Sequence, residues 1–172
     1  MKALVLIDIE KEYANKDSDY FVGDVSKFVG RINQLVEFCR REGYQIIFVR
    51  HIDEDGDAFV EGSEGIEFID EIGFRDSDIV VEKRRVSSFF RSDMEDKLKG
   101  VSEVVVCGIL TNLCVRSFVE DAYDRDFKIR VIKDCCVALD RESHEFTLRD
   151  LKATREEVEF LDLEKFVGEG KF

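Results

Sequence analysis

The sequence contains no proline and no tryptophan, and its five cysteines form no CxxC pair. Without proline, any cis peptide bond in this chain must precede a residue of another type. The cysteines lack the Cys/His spacing of a zinc site, and their odd number argues against a disulfide framework. No glycine-rich phosphate loop is present. These absences argue against a disulfide-linked framework, a zinc-binding module and a phosphate-binding loop.

Long apolar runs and basic clusters are missing as well. No apolar stretch approaches the roughly 18 residues of a membrane-spanning helix. The first residues, MKALVLIDIE, hold one lysine and a short apolar run that ends in acidic residues, which is typical of a strand and not of a signal peptide. The net charge of −13 and the lack of a basic stripe argue against nucleic-acid binding. We therefore expect a cytoplasmic protein that binds neither membranes nor nucleic acids.

The residues that are present predict one globular domain over residues 1–172. With 44% hydrophobic and 38% charged residues, the chain is long and apolar enough to bury a core. Short apolar runs alternate with helical patterns. Predicted strands cover residues 3–7, 44–49, 79–82, 104–106, 128–132 and 158–161, and predicted helices cover residues 24–42, 87–99, 111–126 and 141–154. This order predicts an α/β fold, namely a doubly wound three-layer α/β/α sandwich with a mainly parallel sheet of about six strands.

The stretch VVVCGILTNLCVRSFVEDA, residues 104–122, holds the first candidate functional residue. Gly108 is expected to end the strand and Thr111 to cap the helix that follows, which places Cys114 in the first helical turn. Unpaired backbone N–H groups at a helix start lower the pKa of a thiol. Cys114 is thus a candidate nucleophile, although a buried cysteine that merely packs fits this stretch equally well.

Two further candidates come from neighbouring strands. In doubly wound folds, ligands bind beyond the carboxyl ends of the strands at the switch point of the sheet. The first strand ends at Asp8, the third delivers Lys83, and Cys114 follows the fourth. Each of the first two has a structural explanation by itself, as a loop carboxylate or as a lysine with a packed stem. We nevertheless predict that the three side chains converge in one crevice.

The segments ALVLIDIE, VEKRRVSSFF and GILTNLCV, in this order, resemble the isochorismatase-like cysteine hydrolases. This superfamily includes nicotinamidases, N-carbamoylsarcosine amidohydrolases and ureidoacrylate- or biuret-type amidohydrolases. The segment VIKDCCVALDRESHEFTLRDL is similar to the family's strand, turn and His-bearing helix, so the resemblance covers nearly the whole chain. It implies that Asp8 is the acid/base, Lys83 the catalytic lysine and Cys114 the nucleophile. It also implies a cis peptide bond at Ile109–Leu110 and an oxyanion hole formed by the backbone N–H groups of Leu110 and Cys114.

The implied reaction is hydrolysis of a small amide or ureido compound through a cysteine thioester, without a cofactor. The family is commonly oligomeric, so we expect a homo-oligomer, either a dimer or a tetramer. Two departures from the family pattern bear on the substrate. Glu10 stands where family members often carry glutamine, and VRHID has His51 and Asp53 in the reverse order of the metal-binding Asp-x-His motif. We therefore predict no metal site, and nicotinamide becomes a less favoured substrate.

The long polar segment of residues 50–73 is expected to form a functional loop. Candidate substrate-binding residues are Tyr13, His51 and Phe89, whereas His144 is interpreted as structural. One of the arginines near the strand ends (Arg50, Arg84, Arg85) is a candidate clamp for a substrate carboxylate. Alternative functions are the hydrolysis of an enol ether on the same fold, or a thiol sensor or binding protein without catalysis.

Overall fold

The computed structural model describes residues 1–54 and 56–169, which form a six-stranded sheet in the order β3-β2-β1-β4-β5-β6. Every neighbouring pair of strands is parallel. The strands are β1 (Lys2–Ile7), β2 (Gln45–His51), β3 (Ile79–Lys83), β4 (Glu103–Ile109), β5 (Lys128–Val137) and β6 (Glu159–Leu161). The predicted doubly wound α/β fold is confirmed.

Helices lie in most of the crossovers between the parallel strands, and the last helix follows the final strand. They are α1 (Ser26–Arg41), α2 (Met94–Lys97), α3 (Arg116–Tyr123), α4 (Arg141–Thr154) and α5 (Leu163–Glu169). Single 3₁₀ turns lie at Lys11–Ala14 and Glu64–Ile66, and a π-helical turn at Thr111–Val115 precedes α3. Because parallel crossovers are right-handed, α1 lies on one face of the sheet and α3 and α4 on the other. No helix in the described ranges is both long and apolar enough to cross a membrane.

The two central strands are apolar on both faces because both faces are covered by helices. Residues 3–7 of β1 and all seven residues of β4 are buried. This explains why these strands appear in the sequence as continuous apolar runs rather than as alternating patterns. The switch point lies between β1 and β4, whose connections leave in opposite directions along the sheet. The carboxyl ends of β1, β3 and β4 therefore open onto the crevice that the sequence predicts.

Several predicted boundaries are wrong. The helix expected over residues 87–99 is only the short α2, because Ser87 Oγ accepts the N–H groups of Phe89 and Phe90 and holds that segment in a turn. Gly108 does not end β4, which continues to Ile109. Strand β5 runs five residues beyond the predicted end at Ile132, and α5 was not predicted.

Candidate active site

Asp8 lies at the base of the crevice, directly after β1, and its side chain is completely buried. Its backbone N–H donates to the carbonyl oxygen of Val49 in β2 at 3.1 Å, which fixes the point where the chain leaves the sheet. The φ angle of Asp8 is +50°, in the left-handed region that aspartate tolerates better than most residues. Such conformations cluster at functional sites, where the surrounding structure maintains them.

Lys83, the last residue of β3, connects the members of the site. Its Nζ lies 2.8 Å from Asp8 Oδ2 and 3.3 Å from Cys114 Sγ. It also contacts the carbonyl oxygen of Arg85 at 3.1 Å and His51 Nδ1 at 3.2 Å. Burial is the largest single influence and lowers the pKa of Lys83, but the negative charges of Asp8 and Cys114 and their hydrogen bonds together raise it above its usual value, so the group stays an ammonium. The predicted convergence of Asp8, Lys83 and Cys114 is therefore present in the fold.

Cys114 lies in the π-helical turn before α3, and its side chain is buried. Burial and the nearby charge of Asp8 raise the pKa of the Cys114 thiol above its usual value, and they outweigh the opposing effect of Lys83. The lowered pKa that the helix start predicts for this thiol is therefore wrong for the free protein. Desolvation is the largest cause of this shift, and only the folded chain imposes it.

The backbone of the turn before Cys114 contains a cis peptide bond and two hydrogen bonds to one carbonyl oxygen. The Ile109–Leu110 peptide bond is cis, at the position implied by the family resemblance. Leu110 itself occupies the N-cap position of the π turn, and its carbonyl oxygen accepts the N–H groups of Leu113 and Val115, both at 3.1 Å. These bonds hold the turn in place directly beside the Cys114 thiol.

Thr111 does not cap the helix, contrary to the prediction. Its buried hydroxyl instead lies 2.8 Å from His144 Nδ1 in α4. Burial lowers the pKa of His144, so the imidazole is neutral near neutral pH. This contact supports the interpretation of His144 as structural, because the contact connects α4 to the turn that carries Cys114.

Two of the candidate substrate-binding residues, Tyr13 and His51, lie beside these groups. Because a lysine ammonium has only donors, His51 Nδ1 must accept from Lys83, which leaves the proton on Nε2. Burial lowers the pKa of His51, and Lys83 lowers it further. Burial, followed by the charge of Asp8, raises the pKa of Tyr13 well above its usual value. Both groups are therefore neutral and close enough to the charged residues to respond to them.

Phe59 covers this part of the site, and the sequence did not single it out. Its ring centroid lies 5.0 Å from that of Tyr13, 5.2 Å from that of Tyr20 and 5.4 Å from that of His51. Phe59 belongs to the segment of residues 50–73, so that segment contributes an aromatic wall to the site. The signal in the sequence was weak, because Phe59 is one of two phenylalanines in a segment rich in acidic residues.

Phe89, the third candidate, packs against α3. Its ring lies 5.3 Å from that of Phe118 in α3, and the guanidinium of Arg125 lies 4.3 Å above it. These contacts anchor the loop after β3 against α3. Phe89 therefore serves packing between the loop and the helix.

The arginines proposed as a carboxylate clamp already have acidic partners. Arg50 contacts Glu67 and Glu82 at 3.7 and 3.6 Å. Arg84 lies 3.2 Å from Glu61, and Arg85 lies 3.3 Å from Glu54. A substrate carboxylate would have to displace one of these pairs. These pairs are partly exposed to solvent, so the carboxylate clamp stays a prediction.

Glu10 is fully buried, which the sequence did not predict for an acidic residue in a loop. Its Oε1 accepts the backbone N–H of His51 at 2.7 Å. Within the described residues, Oε2 has no hydrogen-bond partner. Glu10 therefore places a second carboxyl group beside Asp8. No group of three or more histidine, cysteine or acidic side chains in the described ranges is arranged to hold a metal ion.

The geometry combines a thiol, a carboxyl and an ammonium in one buried, hydrogen-bonded group. Lys83 Nζ lies 3.3 Å from Cys114 Sγ and 2.8 Å from Asp8 Oδ2, so the cation can compensate the negative charge when a proton passes from sulfur to Asp8. Such an arrangement suits nucleophilic attack on an electrophilic carbon followed by return of the proton.

Comparisons with known proteins show the family and the fold of this chain. Residues 2–160 match the family model of the isochorismatase domain. The chain is 31% identical over 163 residues to the uncharacterized isochorismatase family protein YwoC of Bacillus subtilis (strain 168), covering 86% of this chain and 83% of that protein. It is 26% identical over 165 residues to Nicotinamidase 3 of Arabidopsis thaliana, covering 87% and 79% respectively. An isochorismatase-like hydrolase from Alkaliphilus metalliredigens has the same fold, with a TM-score of 0.89, 24% identity and 99% of both chains covered.

Proposed function

The chain belongs to the isochorismatase family, whose members include hydrolases, and we propose that it is a cysteine amidohydrolase acting on a small amide or ureido compound. The observation that carries this proposal is the position of Lys83 Nζ, which lies within 3.3 Å of both the Asp8 carboxylate and the Cys114 sulfur. One ammonium group can thus hold the acid/base and the nucleophile together. The similarity to a nicotinamidase supports C–N bonds as the class of bond that is cleaved.

Acylation begins with transfer of the Cys114 proton to Asp8 as the sulfur attacks the carbonyl carbon. Because the thiol is protonated in the free protein, this transfer is coupled to attack and is not complete beforehand. Lys83 stabilises the developing thiolate. The carbonyl electron pair moves to oxygen, and we assign the backbone N–H groups of Leu110 and Cys114 to this oxyanion. When the oxyanion collapses, the C–N bond breaks and Asp8 gives its proton to the leaving nitrogen.

Deacylation uses the same groups in reverse order. Asp8, now ionised, takes a proton from a water molecule while the water oxygen attacks the thioester carbon. The second tetrahedral intermediate collapses with cleavage of the C–S bond, and the thiolate recovers its proton from Asp8. The products are the amine or ammonia and the carboxylic or carbamic acid. No metal or cofactor takes part in the proposed sequence.

The substrate lies against the aromatic wall in this proposal. We assign Tyr13 and His51 to substrate contact, because both are neutral and adjoin the charged group. His51 Nε2–H is a donor for a substrate oxygen, and Phe59 supplies an apolar surface beside it. Since Arg50, Arg84 and Arg85 are paired with glutamates, an uncharged amide is favoured over one that carries a carboxylate.

The test is release of ammonia from a panel of small amides and ureido compounds. Cys114→Ser is expected to reduce turnover by roughly 10³-fold or more, whereas Cys39→Ala, at a buried cysteine of α1, serves as the matched control. A thioester adduct on Cys114 should be detectable by intact mass after rapid acid quenching, and a chelator should leave turnover unchanged.

Two outcomes would overturn the proposal. Full turnover by Cys114→Ser would exclude the thioester. Release of a keto acid from a vinyl ether, without ammonia from any amide, would instead assign the enol-ether reaction to this chain.

A further inference from the structure

Glu10 is a buried carboxyl group that the proposed chemistry does not use. It lies two residues after Asp8 and is fully buried. An isolated β-bridge to Phe68 holds its backbone, and Oε1 accepts the N–H of His51 at 2.7 Å. Its side chain therefore has one fixed position beneath the wall formed by the segment of residues 50–73.

The second oxygen of Glu10 lacks any compensation. Among the described residues, Oε2 accepts no hydrogen bond and no cationic nitrogen pairs with this carboxyl group. Lys83, the nearest buried cation, is already committed to Asp8 at 2.8 Å. Arg50 pairs with Glu67 and Glu82 at the rim instead. An ionised Glu10 would therefore be a buried negative charge without a cationic partner, which costs free energy of folding.

The groups facing Glu10 come from several elements. Asp8 precedes it in the chain, Arg50 and His51 lie at the end of β2, and Lys83 lies at the end of β3. Tyr13 approaches from the 3₁₀ turn. Burial and the charge of Asp8 together raise the pKa of Glu10 well above its usual value, against the weaker opposing effects of the His51 N–H, Lys83 and Arg50.

We propose that Glu10 is protonated in the active protein and acts as a positioning residue that leaves Asp8 as the one carboxylate of the site. A protonated glutamate has the shape and the zero charge of glutamine. This explains how Glu10 can stand where family members often carry glutamine. The charges of Asp8 and Lys83 then cancel. They still cancel after the Cys114 proton has moved to Asp8, because the negative charge is only relocated.

The consequence for catalysis rests on the proposed function, whereas the protonation state itself does not. Both the thiolate and the tetrahedral oxyanion are negative. If Glu10 loses its proton as the pH rises, each of them must form beside an added negative charge, and turnover falls. Glu10 would thus set the alkaline limit of activity without touching the reacting atoms.

The first test measures unfolding by denaturant as a function of pH for the wild type and Glu10→Gln. A group whose pKa is raised on folding binds its proton more tightly in the folded state. Its contribution to stability is therefore present below the unfolded pKa of about 4.3 and is lost as the pH rises towards the folded pKa. Relative to the wild type, Glu10→Gln should gain up to about tenfold in the folding equilibrium constant per pH unit across that interval.

Glu103→Gln is the matched control. Glu103 is also buried, but its carboxylate lies 3.4 Å from Lys2, 3.7 Å from Lys128 and 3.8 Å from Arg130. Its replacement should therefore destabilise the protein at neutral pH, with the opposite sign to Glu10→Gln. A difference between Glu10→Gln and the wild type that does not change with pH, or that turns increasingly unfavourable as the pH rises, would overturn the proposal.

The second test is direct and needs no substrate. The infrared difference spectrum between the wild type and Glu10→Gln at neutral pH should contain the carbonyl band of a protonated carboxyl group. Carboxylate bands in its place would overturn the proposal, whatever the protein hydrolyses. Once a substrate is known, Glu10→Gln should retain turnover at alkaline pH at which the wild type loses it. An unchanged alkaline limit would refute the positioning role while leaving the amidohydrolase proposal intact.

Discussion

Lys83 Nζ lies 2.8 Å from Asp8 Oδ2, and both side chains are completely buried. Two opposite charges at this distance in a dry interior stabilise each other strongly, but each has lost its hydration. The pair is therefore weak evidence that it stabilises the fold. It indicates instead that a function of the protein needs charged groups at this place. The Cys114 sulfur, 3.3 Å from the same nitrogen, supplies a reason for that requirement.

Breaking this pair should destabilise the fold, whereas removing both charges should not. Lys83→Met leaves Asp8 as an unpaired buried charge, which costs about 3–5 kcal/mol of unfolding free energy. The double variant Asp8→Asn/Lys83→Met should recover most of that loss, as measured by denaturant unfolding at neutral pH. Equal destabilisation by the single and the double variant would show that the lysine stem matters and its charge does not.

Asp8→Asn should abolish turnover and yet increase ionisation of the thiol. The charge of Asp8 is one of the causes that raise the pKa of Cys114, and Lys83 opposes it. Without Asp8 the pKa of Cys114 falls, so thiolate absorbance and the rate of alkylation by iodoacetamide at neutral pH should rise. Lys83→Met, in contrast, should slow alkylation of Cys114. Loss of alkylation together with turnover in Asp8→Asn would contradict this prediction and would show that the thiol needs Asp8 as a base even towards a small alkylating agent.

The contact between Thr111 and His144 should position the turn that carries Cys114. Thr111→Val keeps the volume but removes the hydroxyl, which costs about 1–2 kcal/mol and leaves a polar imidazole nitrogen without its partner. Thr111→Ser retains the hydroxyl and is the matched control. We expect turnover to fall in the valine variant and largely to survive in the serine variant. Equal activity in the two variants would limit this contact to a role in stability.

Gly108 is required by the close packing of β4 against β1. Its φ angle is +131°, and a Cβ atom there would lie 2.1 Å from the carbonyl oxygen of Ile7, the residue before Asp8. Gly108→Ala should therefore cost about 3 kcal/mol or more through strain and overlap. Gly30→Ala, in α1 with open space around it, should stabilise the protein by up to about 1 kcal/mol. Thermal unfolding of both variants checks this contrast, which comparable midpoints would refute.

The strands were predictable because their signal is local. A strand buried on both faces needs a continuous apolar run, and residues 3–7 and 104–106 show one. The ends of such runs also predicted that Asp8 and Lys83 lie close together, since parallel strands finish at the same edge of the sheet. Helix α4 was predicted with its observed bounds, and its start is also fixed locally, since Asp140 accepts the Ser143 N–H at 2.8 Å.

Contacts between residues that are far apart in the sequence decided the features that the sequence did not predict. Threonine is a residue type that often caps helices, but the Thr111 hydroxyl contacts His144, 33 residues later in the chain. Phe59 became part of the site by packing on Tyr13 and His51, which no local pattern indicates. The ionisation of Cys114 and Glu10 depends on how much water and which charges surround them. The sequence by itself determined that Asp8, Lys83 and Cys114 come together, whereas only the tertiary structure decided which other groups surround them and how all of them are protonated, because desolvation is a property of the folded chain.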